Sequence, residues 1–65
     1  MKSWFRVSHR EWEYIDSNGL VRGVVEETSP GNWEWDGETI TDFGVESDRA
    51  RAMDRIEEIV NPTVH

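Results

Sequence analysis

The chain has no cysteine among its 65 residues, so neither a disulfide framework nor a thiolate metal site can staple it. That fits a reducing compartment, and a cytoplasmic location is the expectation. No apolar run is long enough for a signal peptide or a membrane span, so no membrane partner is expected. Repeats, low-complexity tracts and linker-like segments are also missing, which leaves one domain at most. A domain this small buries only about 60% of the surface that its unfolded chain exposes. Its stability must come from a few large side chains, and four tryptophans supply them.

Cations are scarce where they would matter most. Residues 1–10 carry Lys2, Arg6 and Arg10 and no acid. Residues 11–48 carry eleven acids against Arg22 alone, and residues 49–65 balance three arginines against three acids. The net charge of −7 gives a field that repels phosphate backbones and attracts basic surfaces. The same acidity would also keep a small protein soluble.

Groups for catalysis are equally sparse. There are two histidines: His9 sits beside Arg10 in an exposed strand pattern, and His65 is the last residue. Asp36, Glu38 and Asp42 lack the spacing of an EF-hand loop. Gly19 and Gly23 punctuate strands and do not form a phosphate-cradling loop. Asp42-Phe43-Gly44 repeats the letters of a kinase motif in a chain far too short to hold the rest of one. No catalytic residue, metal ligand or cofactor site is assigned, and the protein is expected not to be an enzyme.

What is present centres on Glu11–Trp35, which holds three of the four tryptophans and two turn signals. Trp4, Phe5 and Val7 favour a first strand over a basic arm. Asn18-Gly19 is the preferred pair for a two-residue type I′ turn. That turn sets Asp16 against Val21, Tyr14 against Gly23 and Trp12 against Val25. One face then holds Trp12, Tyr14, Val21, Gly23 and Val25, with Tyr14 covering the strand glycine. The other holds Glu11, Glu13, Ile15, Arg22, Val24 and Glu26.

The connection around Ser29-Pro30-Gly31-Asn32 decides where Trp33 and Trp35 point. An odd loop pairs Val25 with Trp35 and places both on the aromatic face; an even loop sends them to the acidic face. A bare Pro-Gly turn twists poorly for a hairpin, which favours the odd loop. It also lines up Glu11, Glu26 and Glu34 as a like-charge row that needs an explanation. Asp36-Gly37 signals another hairpin, Glu38–Thr41 reads as a short fourth strand, and Asp42-Phe43-Gly44 ends the sheet.

A helix follows. Ser47 or Asp48 caps it, Asn61-Pro62 stops it, and Ala52, Met53, Ile56, Ile59 and Val60 form its apolar stripe. Arg51–Asp54 and Arg55–Glu58 have the spacing of surface ion pairs. The expected fold is α+β: an antiparallel meander of three or four strands with one C-terminal helix on its aromatic face. The strands are expected at about 3–9, 11–16, 20–27 and 33–41, and the helix at about 48–60.

For function, the informative residues are the acids that alternate with aromatics. Glu11, Glu13, Glu26, Glu34 and Asp36 form a candidate partner-binding face. Trp12 and Trp35 are expected in the core, while Trp4 and Trp33 are candidate aromatic anchors at its rim. Side chains on one strand face repeat at about 6.8 Å, against about 3.4 Å per nucleotide for phosphates, a loose match that leaves nucleic-acid mimicry as a hypothesis.

The aromatic strand, the GLVRGVV strand, the WEW strand, Phe43-Gly44 and the capped helix together resemble small acidic phage- or prophage-encoded proteins of ββ(β)βα layout. The likeness covers roughly residues 11–60. That class includes anti-CRISPR-type inhibitors, and the resemblance implies a non-enzymatic inhibitor of a host nucleic-acid-handling complex. The basic N-terminus departs from it. The leading expectation is therefore an acidic protein–protein interaction module that binds a basic host surface in the host cytoplasm. One alternative is a small nucleic-acid-binding protein that uses Trp4 and the basic arm. Another is a structural protein that forms a homodimer or larger assembly through exposed tryptophan.

Overall fold

The computed structural model describes residues 3–62, so Lys2 and His65 lie outside the described residues. Five strands form one antiparallel sheet in sequence order: β1 (Trp4–Ser8), β2 (Glu11–Ile15), β3 (Val21–Ser29), β4 (Asn32–Asp36) and β5 (Phe43–Glu46). The helix α1 (Arg49–Val60) follows and packs against β3, β4 and β5. The fold is α+β, but with five strands where three or four were expected. Residues 38–41 do not extend β4. Gly37 N donates to Asp42 O (2.6 Å), which closes this segment into a loop. Ile40, at 92% exposure, has nothing to bury against. The sheet resumes at Phe43, where its end was expected.

The first three hairpins each carry a bulge, the β4–β5 pairing is regular, and two of the bulges decide which way the side chains face. Between β2 and β3 the turn is not type I′, because Gly19 (φ 81°) is left-handed there and its neighbour Asn18 is not. Gly19 N donates to Asp16 O (2.9 Å) and Asp16 N donates to Leu20 O (2.9 Å), giving a three-residue loop that ends on a left-handed glycine. The Asp16 carboxylate selects this loop by accepting from the backbone of Asn18 (2.8 Å) and Leu20 (3.0 Å). Ile15 consequently faces Val21, one residue out of the expected step. A bulge at Arg22 restores the step, so Tyr14 faces Gly23 and Trp12 faces Val25. Val21 is moved from the expected core face to the opposite one, where it is half exposed.

The β3–β4 hairpin uses the same device. Ser29 pairs with Asn32 across the two residues Pro30-Gly31, an even turn with Gly31 at φ 83°. Alone, that turn would put Trp33 and Trp35 on the acidic face. A bulge at Thr28 reverses the parity, so Glu27 faces Trp33 and Val25 faces Trp35. The pairing expected of an odd loop is thus produced by an even turn plus one extra residue. In the β1–β2 hairpin a bulge at Val7 accompanies the His9-Arg10 turn, with Trp4 opposite Tyr14 and Arg6 opposite Trp12.

All four tryptophans therefore lie on the helix side of the sheet. Tyr14, Val25, Ala52 and Ile56 are the buried core, and Trp4, Trp12, Trp33, Trp35, Met53 and Val60 pack around it half-buried. Asp48 caps the helix by accepting from Arg51 N (2.9 Å), and Asn61 at its other end donates to the Tyr14 hydroxyl (2.8 Å). The arginines do not form the expected pairs within the helix. Arg51 reaches back to Asp48 (3.7 Å) and Arg55 crosses to Glu46 (3.1 Å). Trp12 is met by Arg49, whose guanidinium lies 4.8 Å from the ring centroid.

Ile56 is fully buried over Gly23, where an added Cβ would clash with its Cγ2 and Cδ1. The atoms nearest to the space over this glycine thus belong to the helix, with Tyr14 in the paired position beside it. Aromatic cover occurs at Gly44, where a Cβ would lie 2.8 Å from the Trp35 ring. Gly23→Ala should cost about 1–3 kcal/mol in a denaturant titration, as overpacking does. In an Ile56→Ala background that cost should shrink. An equal cost in both backgrounds would place the strain elsewhere.

Candidate functional site: the uncovered face of the sheet

The pairings define two adjoining rows on the face away from the helix. The first runs Ser8–Glu11–Glu26–Glu34–Val45 and the second Phe5–Glu13–Val24–Asp36–Phe43. All five acids expected to form a partner-binding face are brought together here. Glu26 and Asp36 are exposed, and Glu11, Glu13 and Glu34 are half-buried. The paired positions of this face hold no cation, and none of the five carboxylates belongs to an ion pair among the described residues. Neighbouring strands are about 4.8 Å apart, so Glu11, Glu26 and Glu34 stand at that interval.

Register sharpens the repulsion. Glu27 N donates to Arg10 O (2.8 Å), so Arg10 and Glu27 are a hydrogen-bonded pair. Alternation makes Glu11–Glu26 a non-hydrogen-bonded pair, the closer kind, with Cα atoms about 4.5 Å apart. Like charges placed directly opposite destabilise a sheet.

The face also carries apolar groups that the sequence reading did not assign to it. Phe5 is 49% exposed, Phe43 63% and Val45 58%. Phe5 and Phe43 stand at the two ends of the second row, with Val24 at its centre. The pairing β1–β2 would have revealed Phe5, but Phe43 and Val45 required recognition of the fifth strand. Trp4 and Trp33, the candidate anchors, are not on this face. Trp4 is held on the helix side, edge-on to Tyr14 (centroids 5.3 Å apart), and donates to Glu57 (3.3 Å). Trp33 packs against the core.

A cavity of about 470 Å³ lies between the β2–β3 loop and the end of the helix, lined in part by Tyr14, Asp16, Arg22, Val60 and Asn61. Its charged groups and the Tyr14 hydroxyl already have partners. Arg22, the bulge residue, bonds both Asp16 (3.2 Å) and Glu38, and Tyr14 accepts from Asn61. The Leu20 N–H holds the Asp16 carboxyl below its ordinary pKa of 3.8 against opposing desolvation, helped by the Asn18 N–H and by Arg22. This is a structural turn. Among the described residues, no group of three or more His, Cys, Asp or Glu side chains is placed to hold a metal ion, and no helix is long and apolar enough to cross a membrane. No family model, curated protein or solved structure matches the chain.

Two outcomes follow from these charges. Glu26→Gln removes the central charge of the row, so it should raise stability by about 0.2–1 kcal/mol at low salt. The gain should shrink at high ionic strength, and a loss of stability would show that Glu26 has a favourable partner. At Asp16 folding depresses the pKa, so its contribution is complete above pH 3.8 and disappears as pH falls through the lower folded value. Asp16→Asn should flatten that part of the stability–pH curve. An unchanged slope would assign the acid loss to other carboxyls.

Proposed function

We propose that the chain is a non-catalytic protein–protein interaction module that sets its acidic sheet face on the basic surface of a nucleic-acid-handling complex. The observation that carries this reading is the row Glu11–Glu26–Glu34, aligned on an uncovered face without a counter-charge. A like-charge row lowers the stability of a fold whose buried core, among the described residues, is four side chains. Local rules are broken in this way mainly where function demands it. A basic partner relieves the repulsion, and its approach is accelerated by the field of the whole chain.

The action this supports is occlusion: the face covers a surface that would otherwise hold nucleic acid. The layout of residues 11–60 is in keeping with a phage-type, anti-CRISPR-like inhibitor in a host cytoplasm. Nucleic acid is a poorer partner, because the acids repel phosphate and the tryptophans are engaged beneath the helix.

The test is capture from a nuclease-treated bacterial lysate, with washes at low and high salt. The wild-type chain should retain a basic nucleic-acid-handling protein that high salt releases. The variant carrying Glu11→Gln, Glu13→Gln, Glu26→Gln and Glu34→Gln should retain little of it. Equal capture by the two chains would exclude this face as the binding surface.

A further inference from the structure

We infer that the partner presents a cationic amphipathic helix that lies across the sheet from β1 to β5, with one side over each of the two rows of the uncovered face. The inference rests on the reading of this face as a docking surface and adds the shape of what it receives.

Spacing and pattern select the occupant. The longest unbroken series of carboxylates, Glu11–Glu26–Glu34, runs across the strands and not along them. Its interval of about 4.8 Å compares with about 5.4 Å per helical turn, a difference of roughly 1 Å over two steps that side chains absorb. An extended segment repeats at about 6.8 Å on one side and drifts out of step by roughly 4 Å over the same distance. Laid along β2 or β4, such a segment meets only two acids, Glu11 and Glu13 or Glu34 and Asp36.

The second row adds an independent constraint. Its apolar members Phe5, Val24 and Phe43 recur on every second strand, at about 9.6 Å, with Glu13 and Asp36 between them. Residues seven apart on a helix are about 10.5 Å apart along its axis. The rows lie two residues apart on β2 to β5, about 6.8 Å, so one helix covers both. The complementary helix carries Lys or Arg every three to four residues on one ridge and apolar side chains at a spacing of seven on the next. Phe5 and Phe43 close on its apolar residues at the two edges of the sheet, which an acidic patch without them would not require.

Two synthetic peptides of about 14 residues, long enough to cross five strands, distinguish the outcomes. Both have the Lys/Leu pattern above, and the second contains D-residues at two central positions, which prevents a helix without altering charge or composition. Each is titrated into the ¹⁵N-labelled chain at low salt. The helical peptide should bind at least about tenfold more tightly, in line with the advantage of a preformed helix in groove recognition. Amide shifts should centre on Glu13, Val24, Glu26, Glu34 and Asp36, and Phe43→Ala should weaken the helical peptide alone. Equal affinity for both peptides would overturn the helical occupant while leaving an acidic docking face. Binding of neither peptide would overturn both. Shifts centred on α1 would move the site to the other side of the molecule.

Discussion

The structure depends on one contact, the seating of Ile56 on Gly23. The glycine opens a gap in the centre of β3, and the isoleucine fills it from above as one of two fully buried large side chains. Burying such a side chain contributes about 1.5–3 kcal/mol, a large share for a small fold. The contact fixes how closely the helix approaches the sheet. Trp12 under Arg49, Trp4 beside Glu57 and Tyr14 bonded to Asn61 then fall into place along its flank.

That arrangement divides the molecule into two unequal surfaces. One side of the sheet takes all the tryptophans and the whole helix. The other keeps the acids with Phe5, Phe43 and Val45, and no residue of the described chain covers it. The division is a matter of parity, since one residue more or less in either central hairpin would exchange the faces. Arg22 and Thr28 are the residues that set it. Arg22 is further anchored between Asp16 and Glu38, so this bulge also ties the loop after β4 to the β2–β3 turn.

The central pairings and the helix were legible in the sequence because several signals agreed. Tyr14 opposite Gly23, Trp12 opposite Val25 and the acidic row all follow from alternation once a turn is placed. Asp48 and Asn61 mark the helix ends with ordinary capping chemistry. The bulges were not legible, because they are set by competing turn chemistry and no residue type announces them. Asp16 favours a three-residue loop over the Asn18-Gly19 turn, and the sheet absorbs the difference at Arg22. The two departures cancelled, so the inner strands kept the expected register while Val21 did not. Residues 38–41 misled because Ile40 and two threonines have strand propensity without a surface to pack on. Phe43–Glu46 was overlooked because Gly44 looks like a breaker until Trp35 is seen to lie over it. The face was therefore anticipated in its charge and missed in its aromatic edges.

The most direct test of the account is a solution NOESY spectrum of the chain. In antiparallel sheets the non-hydrogen-bonded pairs bring their Hα atoms closest. Strong Hα–Hα cross-peaks are predicted between Glu11 and Glu26 and between Glu13 and Val24, together with contacts from the Ile56 methyls to the Gly23 Hα atoms. That result would fix the acids in register on a face free of the helix. Cross-peaks displaced by one residue would contradict it, because Glu11 and Glu13 would then share the face of Val25 beneath the helix and Trp12 would face solvent.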